Sequence, residues 1–389
     1  MAIPLPYNIR NVLQRPVSTL TTAIGVGLTV TIFIGALALA NGFRAALLET
    51  GSLNNAIVLR KGADSEISSG ISREAVSIIR ANPGIALGPD QRPLASADLV
   101  VVTNKPRLGQ PGSSNVTVRG IDPSAIGVRP QIKIVEGRNF TPGTSEVIVG
   151  RRIAPRFANC AVGDVIAFQQ REFTVVGHFT AGGSSFESEI WGDAAVMGPA
   201  MDREGVFQTL TLRMKDPSRF DALKAELEKD PRLQVQVQRE RSFYSAQSEL
   251  LTNLIRVLGV FITGIMAIGA IFGAMNTMYA AVGSRTREIA TLLVLGFSPF
   301  AVMLSFMFES IFLSLIGGVL GCLFALPING ITTSTTNFQS FSEVAFAFRI
   351  TPYAMLAGLV FSLLMGFAGG ILPAWRAARQ PLATSLREM

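Results

Sequence analysis

"RERSFYSAQSELLTNLIRVLGVFI", residues 239–262, has no proline or glycine before Gly259 and grades from charged to apolar without a break. It reads as one helix that starts in water and continues into hydrocarbon, since nothing interrupts its hydrogen-bond ladder while its side chains change solvent. Downstream, residues 257–284 contain no charged side chain, and about 20 helical residues cross ~30 Å of hydrocarbon. Upstream, the chain is mixed in charge, rich in glycine and proline, and broken into short alternating runs.

Three further uncharged stretches lie between Arg15 and Arg44, from Glu309 to Glu343, and between Arg349 and Arg376. The 389 residues are 49% hydrophobic and 16% charged, with a mean hydropathy of +0.40, too apolar for an ordinary soluble enzyme. The fold class that follows is an integral membrane α-helical protein with four transmembrane helices and a large α+β extracytoplasmic domain made of two subdomains. Basic residues are retained on the cytoplasmic side. Arg10 and Arg15, Arg285 and Arg287, and Arg376, Arg379 and Arg387 therefore place both termini in the cytoplasm of a multi-pass protein of the cell's inner membrane.

The net charge of +7 partly follows from this topology, and no basic patch interleaved with aromatics points to nucleic acid. "ALALANGF" (36–43) offers signal-peptidase-like steps, but the uncharged run before it exceeds the ~7–15 residues of a signal peptide's apolar core. The first span is read as retained. Cys160 falls outside the membrane and Cys322 inside, so they form no disulfide framework.

The expected organisation is a cytoplasmic segment 1–18, a first span 19–43, an external domain 44–250, and a stalk end with second span 251–283. A cytoplasmic helix 284–299, a third span 300–328, an external loop 329–350, a fourth span 351–375 and a tail 376–389 follow. Within the external domain, "NAIVLR", "ADLVVV", "NVTVRG", "SEVIVG" and "EFTVVGHF" have the β-branched character of strands. Ser72 and Asp216 open the two clearest helices. Strand–helix–strand units near 50–110 and 205–240 flank a mostly β stretch 111–204, which predicts one subdomain inserted in another.

Small residues four apart, at Ala23 and Gly27, Gly269 and Gly273, Gly317 and Gly321, and Gly366 and Gly370, let helix backbones approach closely in lipid, in a compact bundle or at a dimer seam. Glu309 lies about a third of the way along its span. A carboxylate there costs a few kcal/mol unless neutral, paired or at the interface, so it is either a packing residue or a relay between helices.

His178, with Glu187 and Glu189 nearby, is the one place that invites an acid–base site. The acids alternate as on one strand face beside the turn "TAGGSS", so Glu187, Glu189 and Trp191 are expected to shape a surface for an extracytoplasmic partner. The sequence has no G-x-S-x-G, H-E-x-x-H or paired-cysteine motif, and no G-x-x-x-x-G-K-[ST] loop. No metal or cofactor is expected to bind directly. ATP, if used, must be held by another chain.

"SRTREIATLLVLGFSP", residues 284–299, places Arg285, Arg287 and Glu288 at the mouth of the second span, then Ile289, Leu292 and Leu293 at helical spacing. Gly296 is expected to stop that helix, and Ser298 with Pro299 to start the next. Its residues alone allow a dock on lipid headgroups or in a protein groove.

That stretch, continued as "FAVMLSFMFESIFLSLIGGVLG" and joined by the terminal "ILPAWRAARQPLATSLREM", resembles the permease subunits of MacB/FtsX-type (type VII, mechanotransmission) ABC transporters. The resemblance rests on Arg285, Glu288, Ile289, Leu295, Gly296, Glu309 and Ser310, and on Pro373, Ala374, Arg376, Ala377 and Ala378. It spans essentially the whole chain. It implies a permease dimer, of two copies or two related chains, each docked through Arg285, Arg287, Glu288, Ile289, Leu292 and Gly296 on a separate ATPase that uses ATP and Mg. Glu309, Gly269, Gly273, Gly317 and Gly321 are the residues expected to pack or relay motion within the membrane. The external domain would then act on a lipoprotein, a lipid, a peptide, a small molecule or an adaptor protein. A non-transporting regulator of a partner such as a cell-wall hydrolase is the alternative, although relatives of the FtsX kind generally have a shorter external domain.

Overall fold

The computed structural model describes residues 16–109, 111–169 and 171–380. The segment up to Arg15 and the tail beyond Gln380, with Arg10, Arg15 and Arg387, lie outside the described residues. In chain order the elements begin with α1 (Pro16–Leu48), β1 (Asn55–Arg60), β2 (Ile71–Ser72), α2 (Arg73–Arg80), β3 (Ala95–Pro106), β4 (Ser113–Ile121) and α3 (Ala125–Val128). They continue with β5 (Lys133–Gly137), β6 (Glu146–Gly150), β7 (Val165–Phe168), β8 (Arg171–Thr180), β9 (Glu189–Asp193), α4 (Ala194–Ala200), β10 (Val206–Phe207), β11 (Thr209–Arg213), α5 (Phe220–Lys229) and β12 (Val235–Arg239). Last come α6 (Glu240–Ser284), α7 (Thr286–Val294), α8 (Pro299–Ala325), β13 (Thr332–Thr336), β14 (Glu343–Ala347) and α9 (Pro352–Ala378).

Four of these helices, α1, α6, α8 and α9, are long and apolar enough to cross a membrane. The chain divides into two units. Of the described residues, the first takes in those up to Asn41, Asn253–Ile331 and those from Phe348 on, and holds the apolar bundle. One close seam is between α1 and α8. A Cβ added at Gly317 would lie 2.8 Å from the Ala23 carbonyl oxygen, and one at Gly321 would lie 2.6 Å from that of Gly27. Two pairs of small residues spaced four apart thus meet each other, and Thr31 adds a hydroxyl bond to the Gly321 carbonyl at 3.1 Å. Gly366 and Gly370 of α9 lie likewise against Ser314 and Ser310 of α8, and the Ser310 hydroxyl donates to the Gly366 carbonyl at 2.7 Å. In lipid, where apolar contact gains nothing over acyl chains, such backbone approach holds helices together.

Gly269 and Gly273 do not share this packing within the bundle. No heavy atom among the described residues lies within 4 Å of a Cβ added at either, so neither glycine packs closely against another described helix.

The second unit spans Gly42–Thr252 and Thr332–Ala347. Its main sheet runs β12-β1-β11-β3-β4-β9-β6-β8-β5, with β7 paired to β8. The long strand β3 joins the two halves: Ala95–Asp98 pair with β11, and Leu99–Pro106 pair with β4. Under the first half, Val76 and Ile79 of α2 and Phe220, Leu223 and Leu227 of α5 pack on Ala56, Val58, Leu210 and Leu212. Ser72 caps α2 by accepting from the Ala75 amide, as its position before an apolar-periodic run implies. The second half carries a core around Val118, Val149, Phe173 and Ile190, and a further core around Ile148, Phe179, Phe186 and Trp191 also takes in Ile57 and Leu59 of β1.

The two glycine pairs make opposite predictions. Gly321→Ile should lower the unfolding free energy of the detergent-solubilised protein by at least about 2 kcal/mol, since backbone must move to admit it. Gly269→Ile should leave it within about 0.5 kcal/mol. Equal losses in a denaturant titration would show that the 269–273 face is covered in solution.

Candidate functional site

Helix α6 ends at Ser284, and Arg285 breaks the ladder with φ −117° and ψ 19°. The nine-residue α7 then runs to Val294 and closes on Gly296, whose φ of +89° is the left-handed conformation that favours glycine. The Gly296 amide bonds the Leu293 carbonyl at 3.2 Å, and the Phe297 amide bonds that of Leu292 at 3.1 Å. This double closure satisfies the carbonyls a helix end leaves orphaned. Ser298 caps α8 by accepting from the Ala301 amide, and Pro299 fills its first turn.

The expected coupling residues divide by which way they face. Ile289 is 1% exposed and packs with Met278, Val282, Val302, Phe306, Ala374 and Ala377, so α7 is seated on α6, α8 and α9. Arg285 also turns inward. Its Nη1 donates to Glu309 Oε2 at 2.8 Å, with both side chains nearly buried. Arg285 and Ile289 are therefore not on the outer surface, a correction to their expected part in direct docking. Arg287, Glu288 and Gly296 are exposed and Leu292 is half-buried. Beside them Val294 and Leu295 are exposed, as is Phe300 at the start of α8. Leu295 was already among the residues carrying the resemblance, whereas Val294 and Phe300 were passed over; large apolar side chains flanking the glycine stop were the available signal.

The ion pair settles how Glu309 is accommodated. The acid is ten residues into α8, about 15 Å along the helix at 1.5 Å per residue. Alone it would be costly in hydrocarbon; the long arginine at the foot of α6 brings the compensating charge. One isolated acid in a span and one arginine at the mouth of the preceding span were the signal for the pair.

In the external unit the expected partner surface is overturned. Glu187, Glu189 and Trp191 are all buried. Ile190 of β9 packs in one core and Trp191 in another, and all five residues of the strand are buried, so both of its faces are covered and its alternation does not mark a solvent face. Glu189 accepts from Arg119 Nε at 2.7 Å and from Trp191 Nε1 at 2.7 Å. Burial pushes its carboxyl above the ordinary value, and Arg119 offsets this only in part. Burial also acts on Glu187, but hydrogen bonds from Thr180, Ala181 and Gly183 and the charge of Arg152 outweigh it and hold this acid low. His178 has both ring nitrogens engaged, Nδ1 with Glu136 and Nε2 with the Cys160 carbonyl, each at 2.7 Å. No group of three metal-ligating side chains occurs among the described residues.

Arg119 belongs to a network the sequence reading passed over. It also meets Glu66 at 2.9 Å and Asp98 at 3.3 Å. Arg129 meets Asp98 at 2.7 Å and approaches Glu240, the first residue of α6, at 3.9 Å. Charged residues inside apolar strand runs, Asp98 in "ADLVVV" and Arg119 in "NVTVRG", were its signature.

Residues 19–230 match the MacB-like periplasmic core domain, and residues 260–382 match the FtsX-like permease C-terminal domain. The chain belongs to the MacB/FtsX-type ABC transporter permease family. It is a membrane protein with an extracytoplasmic domain. Among relatives, the macrolide export ATP-binding/permease protein MacB of Escherichia coli K12 is 26% identical over 379 residues, covering 88% of this chain and 57% of that protein. MacB of Bordetella avium is 34% identical over 145 residues, 37% of this chain and 20% of that one. This chain thus spans little more than half the length of the curated relatives it matches. The periplasmic region of MacB from Actinobacillus actinomycetemcomitans overlaps 52% of this chain at 13% identity, with a TM-score of 0.38.

Removing one partner of a buried pair leaves an uncompensated charge, which costs about 3–5 kcal/mol. Glu309→Ala should therefore lower the thermal midpoint markedly. The double variant Arg285→Met with Glu309→Leu should recover most of the loss. A single variant as stable as the parent would show the pair to be energetically idle.

Proposed function

We propose that this chain is the membrane subunit of an ABC transporter, in which a separate ATPase moves α7 and the motion is carried to the extracytoplasmic domain for export or envelope transport. The observation that carries the reading is the two-sidedness of residues 284–299. An outer face of Arg287, Glu288, Thr291, Val294 and Leu295 is backed by Ile289 in the apolar cluster and by the buried Arg285–Glu309 pair. A face that is partly apolar and partly charged suits a protein groove better than lipid alone. On this reading Arg287, Glu288, Leu292 and Gly296 dock, while Arg285, Ile289 and Glu309 pass the displacement inward.

Both termini are cytoplasmic in this reading, the membrane is the inner one, and the external domain has two subdomains that meet along β3. A second permease copy or a related permease completes the assembly, with an extracytoplasmic adaptor or lipoprotein as a further partner. The cargo is a lipoprotein, a lipid, a peptide or a small molecule; the relatives' name, macrolide export, supports the last of these.

Glu288→Lys combined with Leu295→Asp should reduce recovery of the ATPase with the detergent-extracted permease at least tenfold, with insertion and the thermal midpoint unchanged. Gly296→Trp should do the same by straining the +89° turn. Undiminished co-purification in both would remove the docking assignment.

A further inference from the structure

Residues 332–347 stand in the sequence between the third and fourth apolar helices, where only a connecting loop is expected. They fold instead as the hairpin β13–β14 and group with the external unit. Glu343, Val344, Ala345 and Phe346 are all buried. The hairpin is held on several sides within that unit. Phe346 stands edge-on to Phe43 of α1 at 5.5 Å, and a Cβ on Gly42 would lie 2.1 Å from the Ala347 carbonyl oxygen. Asn337 bonds Gln247 of α6 at 3.4 Å. Thr117 of β4 bonds Ser342 at 2.8 Å, and Ser188 accepts from the Ala345 amide at 2.9 Å.

At the centre of these contacts is Glu343, 3% exposed, with Arg107 at 2.5 Å on one oxygen and Arg156 at 3.1 Å on the other. Burial pushes its carboxyl up, but the hydroxyls of Ser334 and Ser114 and the two arginines more than reverse this. A two-stranded hairpin is marginal alone in water, so its order depends on this anchoring. A passive connection would not require a buried carboxylate, which costs free energy unless fully paired.

The chain passes between the two units four times, and the last two passages are the ends of this hairpin, leading to α8 and α9. All four apolar helices therefore continue covalently into the external unit. We propose that the β13–β14 hairpin is a clamp through which movement of α8 and α9 reaches the external domain, with Glu343 as its positioning residue. This rests on the coupling reading above. The three main cores of the external unit contain no described hairpin residue. Arg107 and Arg156 are partly exposed and can hydrate if their partner is lost. Releasing the clamp should thus leave the domain folded.

The test is hydrogen exchange on the full chain in native-membrane vesicles, with and without Mg-ATP. In Glu343→Gln, exchange at 332–347 should rise. The ATP-dependent change in the rest of the external domain should fall at least fivefold, while the change at 284–299 persists. Adding Thr117→Cys and Ser342→Cys in the Glu343→Gln background should restore the external response on oxidation and lose it on reduction. A hairpin freed by Glu343→Gln without loss of that response would overturn the clamp, as would an oxidised pair that restores nothing. Unchanged exchange at 332–347 would remove Glu343 from the anchoring role. A parent protein with no response at 284–299 would instead refute the coupling reading.

Discussion

A charge that leaves water must take a partner with it, and this constraint shapes the protein in both of its units. In the bundle it acts on one acid and one arginine, Glu309 and Arg285, and fastens the mouth of α6 to α8. In the external unit it acts on Arg119 and Arg129 with Glu66, Asp98, Glu189 and Glu240. Apolar packing would accept many small shifts of these elements. An ion pair in a low-dielectric interior accepts few, because its energy depends on distance and hydrogen-bond direction.

The external network also explains how the sheet is joined. Asp98 stands at the end of the β3 stretch paired with β11, one residue before β3 turns to pair with β4. It faces Arg119 from β4 and Arg129 from the turn after α3. The two halves of the sheet thus share a buried acid at their meeting point, with Phe186 against both guanidinium groups at 5.2 and 5.0 Å.

What is legible in the sequence is whatever depends on near neighbours. The four apolar helices, the Ser72 and Ser298 caps and the glycine stop at 296 follow from composition and from residues within one or two turns. The pairings do not. Arg119 meets Glu189 across 70 positions and Arg285 meets Glu309 across 24, and a local pattern cannot choose such partners. Gly269 and Gly273 carry the same spacing as Gly317 and Gly321, yet among the described residues only the latter pair has a helix against it. The spacing states that a backbone can be approached, not that one is. The same limit hid the burial of Glu187, Glu189 and Trp191, since alternation marks a solvent face only when one side of the sheet is open.

Helix α6 draws these observations together. At 45 residues it is about 67 Å long, more than twice the hydrocarbon thickness. Its first residue, Glu240, accepts from the Ser52 amide and from Asn55, each at 2.9 Å, with Arg129 close by. An acid there also suits the positive end of the helix dipole. The residue after its last, Arg285, is locked to Glu309. Proline is absent between them, so the usual cause of a sharp kink is missing. Where Gly259 would soften the helix, α1 lies close, with Ala36 Cβ 2.7 Å from where a Cβ would be. On the coupling reading, a charge site holds each end of α6 within its own unit, at Glu240 in the external unit and at Arg285 in the bundle.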